Sequence, residues 1–213
     1  ATATPTATPT PTPTASPVRR LYRTDAGTNK IQRSDLDGTN LQDLITTGLT
    51  YPYGIALDIA GGKMYWVDRD ALTVQRANLD GSNVENLVTT GLISPRHIDL
   101  DLTAGKMYWV NHGTGGNGSI QRANLDGSNV EVVLSAMNTP QGIALDVAGG
   151  KMYWTDDGAN AIRRANLDGT SEETLVTGIG LPNGIALDLA GGKMYWTDDG
   201  ASGKIQRANL DGS

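Results

Sequence analysis

Residues 65–68 read Tyr-Trp-Val-Asp, and this tetrad returns along the chain at a nearly fixed spacing. A degenerate copy precedes it and three copies follow it: Tyr22-Arg23-Thr24-Asp25, Tyr108-Trp109-Val110-Asn111, Tyr153-Trp154-Thr155-Asp156 and Tyr195-Trp196-Thr197-Asp198. The steps between successive tetrad tyrosines are 43, 43, 45 and 42 residues. A period of about 40–45 residues that carries several short strands is typical of propeller blades. The repeat therefore predicts one array of similar units, not separate globular domains.

Each repeat contains four strand-like runs, which the second repeat shows most clearly. The tetrad run 63–68 is followed by the run 73–79, an Asp80-Gly81 turn, the run 84–88 and the run 97–102. Asp-Gly is a favoured hairpin turn, and alternating apolar and polar residues indicate half-buried strands. No segment of useful length has helical periodicity. We therefore expect an all-β chain.

Three blocks of each repeat resemble the YWTD repeats of the low-density-lipoprotein-receptor family: Gly-Ile-Ala-Leu-Asp, Lys-Met-Tyr-Trp-Thr-Asp and Arg-Ala-Asn-Leu-Asp-Gly. The resemblance covers about residues 19–213 and implies a β-propeller of four-stranded blades, in which six tetrad repeats close the ring. It also implies a strand order from the axis outward: the Gly-Ile-Ala-Leu-Asp strand, the tetrad strand, the Arg-Ala-Asn-Leu strand and an outermost strand.

The number of strand-like runs departs from this family pattern. The runs comprise four innermost, five tetrad, five third and four outermost strands, or 18 in all. We therefore expect about five blades in residues 18–213, incomplete at both ends. Either the chain is a fragment of a longer one, or another chain supplies the missing strands.

Composition excludes several classes of function. The net charge of −6 disfavours nucleic acid and anionic membranes as partners, because both need a basic face. No apolar run approaches the roughly 18 residues of a membrane span. Cysteine is absent, so no disulfide frame exists and the redox compartment stays open. The sequence has no initial Met and no signal peptide, which is typical of a mature or excised piece.

Residues 1–17 contain only Ala, Thr, Pro and one Ser, and they form a segment distinct from the repeats. Such a composition builds no core and favours an extended backbone, either as a linker or as an O-glycosylated stalk. We expect O-linked sugars on this tail and, less strongly, an N-glycan on the sequon of the third repeat. The expected sites are Thr2, Thr4, Thr6, Thr8, Thr10, Thr12, Thr14, Ser16 and Asn117.

Two sets of repeated acidic residues are candidates for a role. The tetrad ends form the first set, and the resemblance implies that they hydrogen-bond neighbouring backbone and lock adjacent blades together: Asp25, Asp68, Asn111, Asp156 and Asp198. The second set ends the innermost strands, as either a calcium-type cation site or solvated strand ends: Asp58, Asp101, Asp146 and Asp188. The tetrad tryptophans are expected to be buried between blades: Trp66, Trp109, Trp154 and Trp196.

The two histidines, His97 and His112, belong to the same repeat. A hairpin near Ala104 joins them, so antiparallel pairing would place them roughly opposite each other. Two imidazoles form a weak candidate metal site, because the sequence offers no third ligand. A polar pair at the channel mouth is the alternative, and no cofactor is expected.

The sequence favours a non-enzymatic, extracellular or cell-surface protein. It lacks a nucleophile motif and a phosphate loop, and its axial residues repeat nearly unchanged. One hypothesis is a structural subunit of a fibre or array, whose tail lies against the last blade of the next copy. The alternatives are a module that binds an extracellular protein or glycan and, less favoured, a propeller hydrolase or lyase. A unique aromatic or basic patch would favour the binding module, and the sequence shows none.

Overall fold

A computed structural model describes residues 19–200 and 203–213, which form 18 β-strands in five antiparallel sheets. The tail of residues 1–17 lies outside the described residues, and so do its predicted glycosylation sites. No helix long and apolar enough to cross a membrane occurs in the described ranges. The prediction of an all-β chain is confirmed.

Each sheet is one blade, and successive strands of a blade are hydrogen-bonded neighbours. The first blade comprises β1 (Arg20–Asp25), β2 (Lys30–Asp35) and β3 (Gln42–Ile45). The second comprises β4 (Pro52–Asp58), β5 (Lys63–Asp68), β6 (Thr73–Asn78) and β7 (Glu85–Val88). The third comprises β8 (Pro95–Asp101), β9 (Lys106–Asn111), β10 (Gly118–Asn124) and β11 (Glu131–Met137). The fourth comprises β12 (Pro140–Asp146), β13 (Lys151–Asp156), β14 (Ala161–Asn166) and β15 (Glu173–Thr177). The fifth comprises β16 (Pro182–Asp188), β17 (Lys193–Asp198) and β18 (Lys204–Asn209).

The blades stand around a channel in the order that the resemblance implied. The strands β4, β8, β12 and β16 line a cavity of about 380 Å³ on the axis. The tetrad strands come second, and the described residues contain four innermost and four outermost strands. The predicted β-propeller is therefore confirmed, with five blades of which the first has no innermost strand and the last has no outermost strand in the described chain.

The core lies between blades, because each sheet buries both of its faces against its neighbours. The tetrad tyrosine and the residue two places on face the following blade, as Tyr65 and Val67 do. They meet Met107 and Trp109, which face backward from the third blade. Trp66, Trp109 and Trp154 are 0% exposed and Trp196 is 4% exposed. Burial of large side chains at each joint is the main force that holds the array together.

Arginines of the third strands add a polar link between blades. One arginine on the third strand of each of the first four blades donates through Nη1 to the main-chain oxygen of a leucine in the following blade. The four bonds are Arg33 to Leu79 (3.3 Å), Arg76 to Leu125 (3.0 Å), Arg122 to Leu167 (3.2 Å) and Arg164 to Leu210 (2.9 Å). These bonds satisfy carbonyl groups at turns that packing would otherwise leave unpaired.

The forward face of the fifth blade is exposed in the described residues. Ile205 of β18 is 76% exposed, whereas Ile162 at the same register position of β14 is 0% exposed. The innermost strands show the same contrast. A Cβ on Gly142 would lie 2.5 Å from the oxygen of Asn183 in the next blade, but one on Gly184 would meet only Thr197 Oγ1 at 3.6 Å.

Candidate functional site

Three positions around the innermost strands vary among the second to fifth blades. They are the residues before and after the proline that opens each innermost strand, and the residue after each tetrad. The second and third blades contribute Tyr51, Tyr53, Arg69, Ser94, Arg96 and His112. The fourth and fifth blades contribute Thr139, Gln141, Asp157, Leu181, Asn183 and Asp199. We call these twelve residues the variable mouth.

The strand ladder brings the three positions of each blade together. The opening proline pairs with the last tetrad residue, as Pro52 does with Asp68. The next main-chain bond then joins the flanking residues, since Arg69 N donates to Tyr51 O at 2.9 Å. The other blades have the equivalent bonds: His112 to Ser94, Asp157 to Thr139 and Asp199 to Leu181. The variable residues therefore gather at one end of the central channel.

Aromatic and basic side chains of two blades form a cluster at this mouth. The rings of Tyr51 and Tyr53 are stacked, with centroids 6.2 Å apart. The Arg69 guanidinium carbon lies 3.6 Å from the Tyr51 ring centroid, and that of Arg96 lies 5.0 Å from the Tyr53 centroid. His97 packs its ring edge-to-face with Tyr53 at 5.2 Å. Such arginine–aromatic contacts restrict the planes of the two guanidinium groups.

The two arginines of the cluster differ in their electrostatic surroundings. Arg69 Nε forms an ion pair with Asp70 at 2.7 Å. Arg96 has no ion-pair or hydrogen-bond partner among the described residues, and its Nε is buried. Burial lowers the pKa of His112, and the positive charge of Arg96 lowers it further. His112 is therefore held neutral beside an uncompensated arginine.

The fourth and fifth blades give the opposite side of the mouth an amide and acidic character. Asn183 Nδ2 donates to Asp199 Oδ2 at 2.9 Å. Gln141 is 9% exposed, and its Oε1 has no hydrogen-bond partner within the described part of the chain. The negative charge of Asp157 acts on His112 from this side and raises its pKa. The variable mouth is thus polarised across the channel.

The two histidines do not lie opposite each other as the sequence predicted. Pro95 pairs with Asn111 and Ile98 with Trp109, so His97 falls in an irregularity of the ladder between them. His112 N instead donates to Ser94 O at 3.2 Å. His97 Nδ1 donates to the main-chain oxygen of Gln141 at 3.0 Å, and burial lowers the pKa of His97. Within residues 19–200 and 203–213, no three His, Cys, Asp or Glu side chains cluster as metal ligands.

Asp99 is an axial residue that was not among the candidates predicted from the sequence. It occupies the position of Ala56, Ala144 and Ala186 in the repeated Gly-Ile-Ala-Leu-Asp block, and this substitution was the available signal. Its Oδ2 accepts a hydrogen bond from Leu145 N of the next blade at 2.9 Å, and Oδ1 accepts one from Leu100 N at 2.8 Å. Burial raises the pKa of Asp99. The carboxyl group thereby links β8 to β12 inside the channel.

The strand-end carboxylates of the channel hold turns. Each accepts a hydrogen bond from the main-chain nitrogen three residues later. The bonds are Asp58 from Gly61 (2.7 Å), Asp101 from Ala104 (2.9 Å), Asp146 from Gly149 (2.8 Å) and Asp188 from Gly191 (2.8 Å). This is the geometry of an Asx-type turn, which fixes the hairpin to the tetrad strand.

The tetrad residues bind the loops beside them, with different partners in each blade. Asp68 accepts bonds from Thr50 N, Thr50 Oγ1, Tyr51 N and Ala71 N at 2.7–3.1 Å. Asp198 accepts three main-chain bonds and Asp156 one. Asn111 accepts from Ile93 N and donates to Ser119 Oγ, whereas Asp25 accepts from Gly27 N and Thr28 N. The loops that hydrogen-bond to Asp68, Asn111 and Asp198 connect the preceding blade to their own blade. A residue that locks adjacent blades together would have its hydrogen bonds in such loops.

Asn117 of the predicted sequon is exposed in the loop before β10. Ser119 of the same sequon is 9% exposed, and its Oγ accepts the bond from Asn111 Nδ2 at 3.2 Å. The asparagine is thus accessible, while the serine belongs to the folded sheet.

Comparison with known proteins supports this architecture. The model of the family "Low-density lipoprotein receptor repeat class B" matches residues 105–147 and 150–189. Nidogen of Drosophila melanogaster is 43% identical over 49 residues, which are 23% of this chain and 4% of the nidogen. Low-density lipoprotein receptor-related protein 5 of Mus musculus is 46% identical over 50 residues, which are 24% of this chain and 3% of the receptor-related protein. The matches thus span a small part of the length of these relatives.

Solved structures share the fold over most of the chain. A nidogen/laminin complex contains a chain that superimposes with a TM-score of 0.79 at 28% identity, over 85% of this chain and 68% of that one. A gluconolactonase of Xanthomonas campestris gives a TM-score of 0.77 at 20% identity, over 92% of this chain and 70% of the enzyme. At 20% identity, the similarity to the gluconolactonase concerns the fold alone.

Proposed function

We propose that this chain, which carries low-density lipoprotein receptor class B repeats folded as a β-propeller, is a non-catalytic protein-binding module. The variable mouth is its binding surface. The observation that carries this proposal is the distribution of differences among the repeats. The tetrads and the Asp-Gly turns are nearly unchanged, whereas the mouth positions vary, apart from the aspartate that the fourth and fifth blades share after the tetrad. The mouth brings together tyrosines, arginines, amides and carboxylates. Aromatic residues and arginine are the side chains that most often anchor protein interfaces.

The comparisons favour protein binding over catalysis. One structural relative is a chain of a nidogen/laminin complex, and one sequence relative is a receptor-related protein. Against a hydrolase or lyase, the polar side chains inside the channel are engaged with main chain, as His97 is with Gln141 and Asp99 with Leu145. We also propose that the protein acts outside the cell or at its surface, and that its binding function requires no cofactor.

The experiment is a selection of displayed random peptides against the purified chain, followed by rebinding to two variants. Tyr51→Ser removes an aromatic group from the variable mouth. Ile59→Ser is the matched control, because Ile59 is 66% exposed at the opposite end of β4. We expect selected peptides to lose most of their affinity for Tyr51→Ser and to keep it for Ile59→Ser. Peptides that bind both variants equally would contradict the mouth as the binding surface.

A second candidate function is assembly into a surface fibre or array, favoured by the free edge of the fifth blade. The strand β18 has no outer partner in the described chain, and its Ile205 is 76% exposed. Unpaired edges recruit strands from other chains. In this proposal the Thr/Pro tail of one copy lies against β18 of the next, and its prolines are tolerated because an outermost strand is an edge.

Deleting residues 1–17 tests this assembly. Light scattering is expected to find multimers of the whole chain and single propellers after the deletion. Multimers that persist unchanged would rule out the tail as the connector. The tail is also proposed to carry O-linked sugars, so intact mass from the native source is expected to exceed the bare 22.4 kDa.

A further inference from the structure

We infer that the cavity on the propeller axis takes a lysine side chain of a protein partner, with Asp99 as the anion that receives its ammonium group. The inference rests on the proposed function and names one anchor residue that such a partner would carry. The site lies inside the channel, beyond the residues of the variable mouth. Its volume of about 380 Å³ is at the small end of the range for ligand pockets, which suits a single side chain.

The wall of this cavity is apolar apart from two side chains. Isoleucine, leucine and alanine residues of the four innermost strands form it, for example Ile55, Leu145 and Leu187. Asp99 and His97 of β8 are the polar side chains of the described lining, and no lysine or arginine is among them. An aliphatic chain suits such a wall, and a polar group at its end finds side-chain partners only in Asp99 and His97.

Asp99 supplies a negative charge that nothing in the described chain balances. It stands where the other innermost strands have Ala56, Ala144 and Ala186, so the channel has one carboxyl group at this level. Its two hydrogen bonds come from main-chain nitrogen atoms, which favour the ionised form but carry no net charge. Asp99 forms no ion pair with a described residue, although burial has removed part of its water. A cationic ligand would offset that loss of water.

Both polar groups of the lining are hydrogen-bond acceptors. His97 donates through Nδ1 to the main-chain oxygen of Gln141, and its lowered pKa keeps the imidazole neutral. The proton is therefore on Nδ1, and Nε2 is an acceptor without a partner in the described ranges. Each oxygen of Asp99 accepts one hydrogen bond and has a further lone pair. A primary ammonium group has three N–H donors and no acceptor, so it matches this set.

The lining disfavours other cations. A calcium ion takes several oxygen ligands, whereas the positions equivalent to Asp99 in the other innermost strands are alanine. A guanidinium group is a planar fork that suits two free carboxylate oxygens, and each oxygen of Asp99 already accepts a main-chain bond. The ammonium group of lysine is compact and sits on a flexible four-carbon stem, so neither obstacle applies to it.

The cavity begins beside the variable mouth. His97 follows the mouth residue Arg96, and Asp99 lies two residues further along β8, roughly 7 Å deeper at the rise of a strand. The stem of a lysine whose backbone rests at the mouth therefore extends towards Asp99. The Arg96 guanidinium is held against the Tyr53 ring and does not line the cavity. The carboxylate of Asp157 at the mouth favours the approach of a cation.

The experiment titrates the full chain with small probes and follows the imidazole NMR signals of His97. The probe is Nα-acetyl-lysine amide, and Nα-acetyl-norleucine amide, which lacks the ammonium group, is the control ligand. We expect saturable shifts with the lysine probe alone. Asp99→Asn keeps an acceptor for Leu145 N but removes the charge. It is expected to weaken binding roughly 10- to 100-fold, the range for a hydrogen bond to a charged group.

Two further variants separate the charge of Asp99 from its place in the fold. Asp99→Ala introduces the residue that three other blades have at this position, so we expect it to fold and to lose binding as Asp99→Asn does. Asp80→Asn removes the same charge from an exposed turn outside the channel, and we expect it to leave binding unchanged. Far-UV circular dichroism confirms that each variant is folded before it is titrated.

Several outcomes would overturn the inference. Equal responses to the lysine and norleucine probes would exclude charge recognition, and unchanged binding in Asp99→Asn would exclude this residue. Tighter binding of Nα-acetyl-arginine amide would contradict the ammonium, and tighter binding of butylamine would assign the cavity to a free amine. If selected peptides bind the mouth but contain no required lysine, the inference is wrong while the proposed function stands. If the lysine probe binds at Asp99 but no peptide is selected, the proposed function fails while the cation site stands.

Discussion

A matched pair of glycine substitutions tests how the blades are joined at the axis. Gly142 and Gly184 open the same Gly-Ile-Ala-Leu-Asp block in the fourth and fifth blades. In Gly142→Ala the new Cβ would lie 2.5 Å from the oxygen of Asn183 and 3.0 Å from the nitrogen of Ile185. Both atoms belong to the main chain of β16, so the two innermost strands must move apart. In Gly184→Ala the nearest atom is Thr197 Oγ1 at 3.6 Å, an ordinary contact distance.

The expected magnitudes follow from these distances. Overpacking a tight contact typically costs about 1–3 kcal/mol, and we expect a loss of this size for Gly142→Ala. Neither glycine has a positive φ, so alanine is compatible with both backbones. A compatible Gly→Ala change stabilises a protein by about 0.4–1 kcal/mol, because the unfolded chain loses freedom. We therefore expect Gly184→Ala to be neutral or slightly stabilising.

The assay is urea unfolding followed by far-UV circular dichroism, with the midpoint and the slope compared among the three proteins. Equal losses in the two variants would refute the reasoning, since they would require a neighbour packed against β16 as closely as β16 packs against β12. No loss in Gly142→Ala would show that the innermost strands are not in the described contact.

Further substitutions probe the joints and the tetrads. Trp109→Ala is expected to lower the free energy of unfolding by about 3–5 kcal/mol in the same assay, because this fully buried indole fills the joint between two blades; an effect below about 1 kcal/mol would contradict its place in the core. Burial alone would raise the pKa of Asp68, but its hydrogen bonds from Thr50, Ala71 and Tyr51 outweigh that effect and hold the pKa below its usual value. The ionised Asp68 side chain therefore stabilises the fold at neutral pH, and this stabilisation is lost as the pH falls through the folded-state pKa. We expect Asp68→Asn to lower the free energy of unfolding at pH 7 and to make that free energy depend less steeply on pH in the acid range. Burial raises the pKa of Asp156, so keeping this side chain ionised at neutral pH costs free energy. We therefore expect Asp156→Asn to lower the free energy of unfolding at pH 7 by less than Asp68→Asn does. A larger loss for Asp156→Asn would show that burial does not govern the charge of Asp156.

The repeat period was sufficient to predict the architecture. The sequence predicted 18 strands and their distribution among four radial positions, because each blade repeats the same turn residues and the same alternation. The spacing of Tyr65, Tyr108 and Tyr153 set the blade length, and the neighbouring tryptophans lie between blades as expected. A structural feature that recurs in every repeat can be predicted from one sequence, because each repeat is independent evidence for it.

The candidate site was not readable in the same way. The sequence showed no aromatic or basic patch, because Tyr53 and Arg96 lie in different repeats and approach each other only when the blades close around the axis. Asp99 stands out only as a departure from the alanine of the other copies, and a comparison that follows what the repeats share does not select it. The predicted pairing of His97 with His112 failed because the backbone after Pro95 departs from a regular ladder, and a simple count from the hairpin takes no account of such an irregularity.

The most direct test of the variable mouth as the binding surface compares NMR signals from the two ends of the central channel. Both histidines of the chain are at or beside the mouth, whereas Ile59 and Leu102 are exposed at the other end of the innermost strands. The measurement is a two-dimensional NMR titration of the chain, labelled in its imidazole and methyl groups, with a peptide selected for binding. We expect the signals of His97 and His112 to shift in proportion to occupancy while the methyl signals of Ile59 and Leu102 stay in place. Shifts confined to Ile59 and Leu102, with both imidazoles unchanged, would contradict the assignment of the mouth as the binding surface.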